Sequence, residues 1–297
     1  LAKINEWKRE GITISRVTRD SRTGFKAGAL QYGLSKVNSE FIAIFDADFI
    51  PPRNFLKATL PHFKDDIGMV QTRWGHLNEN YNILTQMQAF GLNAHFTVEQ
   101  SGRQNGGRLI NFNGTAGIWR RAAIIDAGGW SHDTVTEDLD LSYRAQLQGW
   151  RFVYMDEVTA LAELPSTVRA FLTQQHRWAK GSIQVGRKLL RPILRSSLSW
   201  QKNVEAMLHL SANFAYPITL ALLMLLPFTS NTSLFGPITA LIFCLATLSV
   251  MGFYALSQGS LRQALLSPLV LVLGMGMAWN QCTAVFSGLF SSDRHFV

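Results

Sequence analysis

The sequence contains few charged residues and almost no cysteine. Charged residues make up 16% of the 297 residues, where an average soluble domain has roughly 25%, and hydrophobic residues make up 47%. This composition excludes an intrinsically disordered chain, a collagen-like chain and a disulfide-rich scaffold. The two cysteines, Cys244 and Cys282, lie inside apolar runs, so we expect both to be small buried hydrophobic side chains.

Acidic residues are missing from one stretch of the chain. There is none between Leu164 and Val204, whereas the same stretch holds eight basic residues, which equal the formal net charge of +8. They are Arg169, Arg177, Lys180, Arg187, Lys188, Arg191, Arg195 and Lys202. From Val204 to Phe290 the only formally charged side chains are Glu205 and Arg262. The sequence therefore divides into a near-neutral polar front, a basic band and an apolar tail.

The apolar tail contains three hydrophobic stretches, at residues 204–228, 234–256 and 268–290. Each is long enough to cross a hydrocarbon core of ~30 Å, which takes about 20 helical residues. The alternative is three buried helices of a soluble bundle, although soluble helices rarely follow one another without a polar face. Because the third stretch carries Asn280 and Gln281, it either spans the bilayer, lies in its interface or faces a polar pore. The basic band predicts that the preceding part of the chain is cytoplasmic.

The polar front alternates strand and helix patterns. Strands are predicted at residues 12–17, 41–45, 68–72 and 151–155. Helices are predicted at residues 26–37, 54–63, 82–100, 120–127 and 137–148. The all-apolar strand at 41–45 is typical of a strand that is buried on both faces of a parallel sheet. This alternation predicts an α/β nucleotide-binding layer.

Two carboxylates follow the apolar strand at 41–45. Asp46 and Asp48 stand at i and i+2, so they point to the same side of an extended chain. In open α/β sheets the ligand crevice lies beyond the carboxyl ends of the strands, where this pair is expected. Two hard oxygen ligands there suit Mg²⁺ or Mn²⁺ shared with a diphosphate. The competing interpretation is a capping Asp and a solvated turn Asp ahead of Pro51.

A second acidic cluster, Thr136-Glu137-Asp138, opens a predicted helix. Thr136 can cap that helix, and acids in its first turn favour the helix dipole, which explains them structurally. The functional interpretation is a carboxylate held at a helix N-terminus that takes a proton from an acceptor hydroxyl. The sequence alone leaves both interpretations open.

The basic band contains Gln174, Arg177 and Trp178 within five residues. Arg offers a planar fork of donors to a phosphate, and Trp offers a flat face to a sugar ring. The alternative is an amphipathic helix at the membrane surface, where Arg meets headgroups and Trp anchors in the interface. The stretch at residues 187–195 has that amphipathic pattern, and Pro192 is expected to kink or end its helix.

Two weaker motifs complete the candidate residues. Lys26 opens a predicted helix and could meet a diphosphate together with backbone N–H groups. A polar turn that suits the wall of a sugar site is formed by Phe112, Asn113, Gly114 and Thr115.

The order of these motifs ahead of apolar spans resembles the family 2 processive glycosyltransferases of the cellulose synthase superfamily. The closest resemblance is to the cellulose-synthase-like mannan and glucan synthases and their bacterial relatives. It is dense over residues 11–180 and covers the apolar tail only in outline. The stretches that carry it are residues 23–30, 44–49, 95–100, 112–117, 163–167 and 174–178.

The resemblance implies a role for each candidate residue. Asp46 and Asp48 would bind the nucleotide diphosphate and a divalent metal, and Asp138 would be the general base. On the donor side the resemblance adds Lys26 and Arg177. On the acceptor side it implies Trp178, Gln174, Phe112, Asn113, Gly114, Thr115 and Glu137.

The resemblance also implies a domain plan. Residues 1–163 would form an α/β domain of the nucleotide-diphospho-sugar transferase type (GT-A, Rossmann-like) whose first strand is missing. Amphipathic interface helices would follow at 164–203, then transmembrane or pore α-helices at 204–290 and a truncated tail at 291–297. We therefore expect this sequence to be an internal piece of a longer protein.

The implied function is that of a membrane-embedded, metal-dependent inverting hexosyltransferase. It would transfer sugar from UDP-glucose or GDP-mannose to a growing β-linked glucan or mannan, and its membrane helices would help translocate the polymer. The alternatives are transfer of a single sugar to a lipid or short acceptor, and a non-catalytic channel or scaffold subunit. Expected partners are the nucleotide sugar, the polysaccharide and the bilayer, with accessory subunits open and no nucleic acid. The expected location is a bacterial inner membrane, or a Golgi or plasma membrane in a eukaryote.

Overall fold

Five strands form one sheet in the front part of the chain. The computed structural model describes residues 2–229, 235–258, 265 and 267–291. The strands are β1 (Phe41–Ile44), β2 (Phe49–Ile50), β3 (Ile67–His76), β4 (Gly117–Arg120) and β5 (Arg151–Ala162). Their order in the sheet is β1-β4-β3-β5-β2. The sheet is mixed: β3 and β5 run parallel, and the other neighbouring pairs are antiparallel.

The position of β1 corrects one expectation. The strand exists, but it lies at an edge of the sheet and pairs only with β4, in antiparallel orientation. Only Ile44 of its four residues is buried. An apolar run indicates a strand but not its neighbours, so the expected position inside a parallel sheet was wrong.

The strand predicted at residues 12–17 is absent from the structure, which describes this stretch as irregular backbone. Its side chains are largely exposed, with Ile12 at 49% and Val17 at 47%. A strand is stable only when a neighbour satisfies its backbone groups, and no described strand lies alongside these residues. This prediction was wrong.

The helices follow the predicted pattern closely. They are α1 (Ala2–Arg9), α2 (Phe25–Leu34), α3 (Phe55–Thr59), α4 (Ile83–Asn93), α5 (Ser101–Asn105), α6 (Arg121–Asp126), α7 (Glu137–Leu147), α8 (Val168–Leu194), α9 (Trp200–Ser211), α10 (Ala215–Thr229), α11 (Phe235–Leu256) and α12 (Ser267–Phe290). A π-helical turn, Ala94–Gln100, joins α4 to α5, and short 3₁₀ helices cover Leu60–His62 and Ala212–Phe214. Each of the five predicted front helices overlaps one of these.

Each face of the sheet is covered by its own hydrophobic core. Successive residues of a strand point to opposite faces, and Met69 and Val70 of β3 accordingly belong to different clusters. Met69 packs in the larger cluster with Phe112 and Trp119, beneath α6 and α7. Val70 packs in the smaller cluster with Phe55 of α3. The central strands β3 and β4 are thus largely buried from both sides.

Helix α8 connects the front domain to the apolar tail. It packs against α7, α9 and α12, and a third cluster between these elements includes Tyr143, Val185 and Leu210. Pro192 lies within its last turn, and the helix ends two residues later, as expected for a helix-ending proline. The amphipathic pattern of the basic band is therefore used for packing against protein as well as for solvent exposure.

Three helical stretches are long and apolar enough to cross a membrane: Trp200–Leu225, Gly236–Leu256 and Ser267–Phe290. They agree with the predicted stretches, except that Leu234 and most of the predicted tail, residues 292–297, lie outside the described residues. In the third helix Asn280 Nδ2 donates to the backbone oxygen of Leu172 at 3.0 Å, and Gln281 is buried. Their polar groups thus face the protein.

The two cysteines have different environments. Cys282 is buried on α12, as expected for a small hydrophobic side chain. Cys244 lies on the exposed surface of α11, which corrects the expectation that both are buried. The apolar run around Cys244 covers the outside of a membrane-length helix rather than a protein core.

Candidate active site

A cavity of about 260 Å³ opens at one edge of the sheet. β1, β3 and β5 all run in the same direction, because β4 is antiparallel to both β1 and β3 while β5 is parallel to β3. Their carboxyl ends therefore meet at this edge, which is where open α/β sheets bind ligands. The rest of the wall comes from the first turns of α2 and α7, the turn before β4 and one face of α8.

Most of the candidate residues line this cavity. They are Lys26, Asp46, Asp48, Asn113, Gly114, Glu137, Asp138, Gln174, Arg177 and Trp178. Side chains that are up to 152 positions apart in sequence, from Lys26 to Trp178, are thus brought around one space.

Two predicted acceptor residues do not line the cavity. Phe112 is fully buried in the core, where its ring contacts Trp119 edge-on, so it has no face for a sugar. Thr115 is also buried, and its Oγ1 accepts a hydrogen bond from the backbone N–H of Asp46 at 2.9 Å. The two middle residues of the turn, Asn113 and Gly114, therefore face the cavity, while Phe112 and Thr115 support them from the core.

Asp46 is held by a lysine from α2. Lys26 Nζ lies 2.6 Å from Asp46 Oδ1 and donates to the backbone oxygen of Gly114 at 3.0 Å. Both side chains are partly exposed to the cavity, so the contact orders the carboxylate more than it stabilises the fold. Lys26 therefore holds the side chain of Asp46, and Thr115 holds its backbone.

Asp48 is exposed at the mouth of the cavity. Among the described residues no cluster of three or more His, Cys, Asp or Glu side chains could hold a metal ion alone. Mg²⁺, however, is commonly bound through one or two carboxylates together with phosphate oxygens and water. The pair of Asp46 and Asp48 fits a divalent cation in that mode, in which a substrate diphosphate supplies further ligands.

Gly114 lies where the two acidic clusters, Asp46 with Asp48 and Glu137 with Asp138, come close together. Its φ of +84° lies in the left-handed region, and a Cβ built on it would stand 2.8 Å from Asp138 Oδ2 and 3.6 Å from Lys26 Nζ. Any larger residue would therefore displace the Asp138 carboxylate. Asp138, Lys26 and Asp46 converge around this glycine.

Burial at the start of α7 raises the pKa of both acids. Asp138 accepts a hydrogen bond from the backbone N–H of Leu139 at 2.8 Å, but burial outweighs it and raises the pKa of the Asp138 carboxyl. Burial, and then the neighbouring charge of Asp138, raise the pKa of Glu137 to about 7. Lys26 and Arg177 oppose both shifts. A carboxylate with a raised pKa is suited to accept a proton near neutral pH.

The predicted cap at Thr136 is not formed. Its hydroxyl makes no capping hydrogen bond, and Oγ1 is buried without a partner. The start of α7 is instead supported by α8: Gln184 Oε1 accepts from the backbone N–H of Val135 at 2.9 Å. Gly181 of α8 packs directly on Thr136. Lys188 completes the contact with an ion pair to the buried Asp140 at 2.7 Å.

One face of α8 forms the opposite wall of the cavity. Gln174, Arg177 and Trp178 lie at i, i+3 and i+4, so they share that face. Arg177 is close enough to lower the pKa of Glu137 and Asp138 against the effect of burial. The helix therefore supplies a cation and an aromatic face opposite the carboxylates.

Residues 41–257 match the family model described as Glycosyl transferase family group 2, which is well over half of the chain. The chain belongs to this family. Two curated relatives are the "Probable glucomannan 4-beta-mannosyltransferase 3" of Arabidopsis thaliana, 43% identical over 222 residues, and the "Glucomannan 4-beta-mannosyltransferase 1" of Oryza sativa subsp. japonica, 42% identical over 219 residues. These alignments cover 72% and 71% of this chain but 39% and 41% of the relatives, so the chain spans about two fifths of their length.

Solved structures confirm the glycosyltransferase fold of this family 2 member. The mannosyltransferase PcManGT from Pyrobaculum calidifontis, in complex with GDP-Man and Mn²⁺, aligns with a TM-score of 0.62 at 19% identity, over 98% of this chain and 74% of that one. S. aureus TarS 1-349 aligns with a TM-score of 0.50 at 14% identity, over 96% and 77%. At these identities the likeness concerns the fold alone, and it bears out the expected GT-A-like architecture.

Sequence reasoning missed one wall of the family 2 site. This wall is formed by the ends of β3 and β5, with Trp74, His76 and Leu164 among its residues. Burial, and then the charge of Arg73, lower the pKa of His76 to about 4, so its ring is neutral at neutral pH. The strands were predicted to end at residues 72 and 155, although they extend to His76 and Ala162. The only sequence signal for this wall was the family resemblance over residues 163–167, to which no functional role was assigned.

Proposed function

We propose that this chain is the catalytic part of a membrane-embedded mannosyltransferase. It transfers mannose from GDP-mannose to the end of a growing β-linked mannan or glucomannan. Relatives that are 42–44% identical are named glucomannan 4-beta-mannosyltransferases, and the structural neighbour PcManGT was solved with GDP-Man, which supports mannose over glucose as the donor sugar. UDP-glucose is the alternative donor in the experiment below.

The observation that carries this proposal is the position of Asp138. Its partly buried carboxyl lies beside Gly114 and Lys26, in the same cavity as Asp46, Asp48 and the cationic face of α8. A base with a raised pKa next to a diphosphate site is the arrangement that transfer to a sugar hydroxyl requires. A scaffold protein has no need of it.

On the donor side, Asp46 and Asp48 would hold a divalent cation together with the diphosphate of the nucleotide sugar. When bound, the cation stabilises negative charge on the departing nucleoside diphosphate. Lys26 keeps Asp46 in place and adds positive charge, and Arg177 adds a second cation from α8. These groups make the nucleotide a better leaving group.

On the acceptor side, Asp138 accepts the proton of the attacking hydroxyl. That oxygen forms a bond to the anomeric carbon on the face opposite the nucleotide, and the bond to the diphosphate oxygen breaks with its electron pair. One displacement inverts the configuration, so an α-linked donor yields a β-linked product. No second carboxylate is needed as a nucleophile.

The acceptor chain lies against α8 and the turn before β4. Trp178 offers its ring to the terminal sugar, and Gln174, Asn113 and Glu137 offer polar contacts around it. An aromatic platform beside the base favours repeated addition to one chain over a single transfer to a lipid or short acceptor. The length of the product distinguishes these alternatives.

The membrane plan follows the charge pattern. Residues 1–163 form the catalytic domain on the cytoplasmic side, the basic helices at 164–203 lie along the membrane surface, and the helices at 204–290 span it. The polymer leaves through a path that these helices help to form.

The test uses membranes that contain the full-length protein. Radiolabelled GDP-mannose or UDP-glucose is supplied with Mn²⁺, with Mg²⁺ or after chelation, and the products are sized and digested with β-mannanase. We expect long, mannanase-sensitive products from GDP-mannose only, loss of product on chelation, and loss in Asp138→Asn with donor binding retained. If product formed from UDP-glucose alone, glucose would be the transferred sugar. Short products would favour transfer of a single sugar over polymer extension. Full turnover by Asp138→Asn would refute the role of Asp138 as the base.

A further inference from the structure

Asn113 stands in the cavity wall in front of a buried polar network. Its backbone N–H donates to Gln71 Oε1 at 2.9 Å, which fixes the main chain of the turn. Its side-chain amide contacts two residues of the π-helical turn, His95 and Gln100. Neither of these two residues lines the cavity.

The hydrogen bonds of this network allow one consistent arrangement. Gln100 Nε2 lies 3.0 Å from the backbone oxygen of Asn111, which can only accept, so the Gln100 amide nitrogen must face it. The same nitrogen lies 2.9 Å from Asn113 Oδ1, which must therefore be the acceptor there. Asn113 Nδ2 consequently faces His95 Nε2 at 3.0 Å and donates to it.

This arrangement determines the tautomer of His95. Because Nε2 accepts a hydrogen bond, the ring proton is on Nδ1, which lies 2.8 Å from Glu99 Oε2. An ionised Glu99 carboxylate has no proton to donate, so it acts only as a hydrogen-bond acceptor toward Nδ1. The hydrogen bond from Nδ1 and the guanidinium of Arg103, whose Nε donates to Oε1 at 3.1 Å, favour this ionised form.

Glu99 is itself held by groups from two elements. Arg103 Nε lies 3.1 Å from Glu99 Oε1, and Arg103 Nη1 lies 2.7 Å from Glu205 on α9. His209 Nε2, also on α9, lies 3.8 Å from Glu99 Oε1. The orientation of the His95 ring is therefore tied to the first of the membrane-length stretches as well as to its own helix.

We propose that His95, whose tautomer is set by Glu99, is a positioning residue that fixes the Asn113 amide so that a second N–H of Nδ2 is presented to an oxygen atom of the acceptor sugar. The inference rests on the proposed glycosyl transfer and deepens it. Within the part of the chain that the structure describes, His95 is the acceptor for one N–H of Nδ2, and the other has none. Asn113 adjoins Gly114, and therefore lies beside the Asp138 carboxylate that takes the acceptor's proton.

A matched pair of variants separates positioning from a structural role. In His95→Gln the amide oxygen reaches the place of Nε2 and can accept from Asn113, whereas the contact with Glu99 is lost. In His95→Asn the amide reaches the place of Nδ1 and keeps Glu99, whereas the acceptor for Asn113 is lost. If His95 positions Asn113, His95→Gln keeps kcat within about threefold and His95→Asn loses about tenfold, which is the worth of one misdirected hydrogen bond. The KM for the nucleotide sugar stays within about twofold in both.

The opposite order of the two variants, or equal losses in both, overturns the proposal, because a structural role depends on the contact with Glu99. The second measurement needs neither activity nor a variant: ¹⁵N NMR of full-length protein labelled in histidine and asparagine reports the tautomer of His95, whose ring is assigned in wild type by its cross-peaks to the Asn113 side-chain amide. We expect a proton on Nδ1 and a bare Nε2 at neutral pH. A proton on Nε2 overturns the proposal even if the variants do not fold. Wild-type protein without transferase activity but with the expected tautomer refutes the proposed function instead.

Discussion

Gly181 is the point at which α8 touches the start of α7, and replacing it with alanine tests how the site is assembled. A Cβ at this position would stand 2.3 Å from both Cγ2 and Oγ1 of Thr136 and 2.8 Å from its Cβ. Rotation of the threonine side chain moves the first two atoms but leaves Cβ where it is. The backbone at Thr136 must therefore move, and it directly precedes Glu137 and Asp138.

The size of the effect follows from this geometry. Ordinary van der Waals contact begins at 3.4 Å, so Thr136 Cβ, which side-chain rotation leaves at 2.8 Å, must move away by about 0.6 Å. Overpacking of this kind costs about 1–3 kcal/mol, offset by about 1 kcal/mol because alanine favours a helix more than glycine does. A displacement of about 1 Å at a catalytic group costs about 10²-fold in rate. The displacement expected here is smaller than that, so Gly181→Ala should lower kcat by about tenfold and the free energy of unfolding by about 0–2 kcal/mol.

Gly186→Ala on the same helix is the matched control. A Cβ there meets Leu210 Cβ at 3.5 Å, an ordinary contact, so this variant should keep its activity and gain slightly in stability. The assay measures kcat and donor KM in membranes, together with thermal melting of purified protein. Donor KM should stay near wild type in Gly181→Ala, because Asp46 and Lys26 do not contact Gly181. Equal activities of the two alanine variants would refute the reasoning.

Three further results are expected. Because burial raises the pKa of Asp138, and raises that of Glu137 to about 7, these carboxylates become protonated as the pH falls. We therefore expect kcat to fall with decreasing pH at a midpoint above the ordinary pKa of an aspartate, about 3.9, and a profile that stays flat down to pH 4 would contradict this. Lys26→Met removes the ion-pair partner of Asp46 and should raise the KM for the donor about tenfold, with a smaller change in kcat. An unchanged KM, measured over a range of donor concentrations, would show that this ion pair does not support donor binding. Chelation should weaken binding of free GDP, measured by calorimetry, and Mn²⁺ should restore it in wild type but not in Asp48→Ala.

Local patterns predicted the elements of the fold more accurately than their arrangement. The apolar run at Phe41–Ile44 is a strand, but its place at the sheet edge depends on β4, which lies far away in sequence. Conversely, the alternation at residues 12–17 suits a strand, yet no described strand lies beside it. Hydrophobic period reports which face is buried, and pairing is a tertiary property.

The same distinction applies to the site. Two carboxylates at i and i+2 after a strand could be placed at the sheet edge from spacing alone, and both Asp46 and Asp48 line the cavity. The turn before β4 was also located, but not which of its side chains face the cavity: Phe112 points into the core and Asn113 out of it. His76 was missed because β3 continues past the point at which its sequence becomes polar.

The roles of α8 show why the site cannot be understood as part of the front domain alone. Its first half supplies Arg177 and Trp178 to the cavity, and its middle supports the loop before Asp138 through Gly181. Its second half is held by the membrane-length helix α12, where Arg187 Nη1 donates to the backbone oxygen of Gly288 at 3.0 Å. A Cβ on Gly288 would stand 2.8 Å from the backbone of α8, so the two helices are in close contact. Any shift of α12 that α8 follows must therefore move both Trp178 and the support of Asp138, and under the proposed function this would couple sugar transfer to the membrane-length helices.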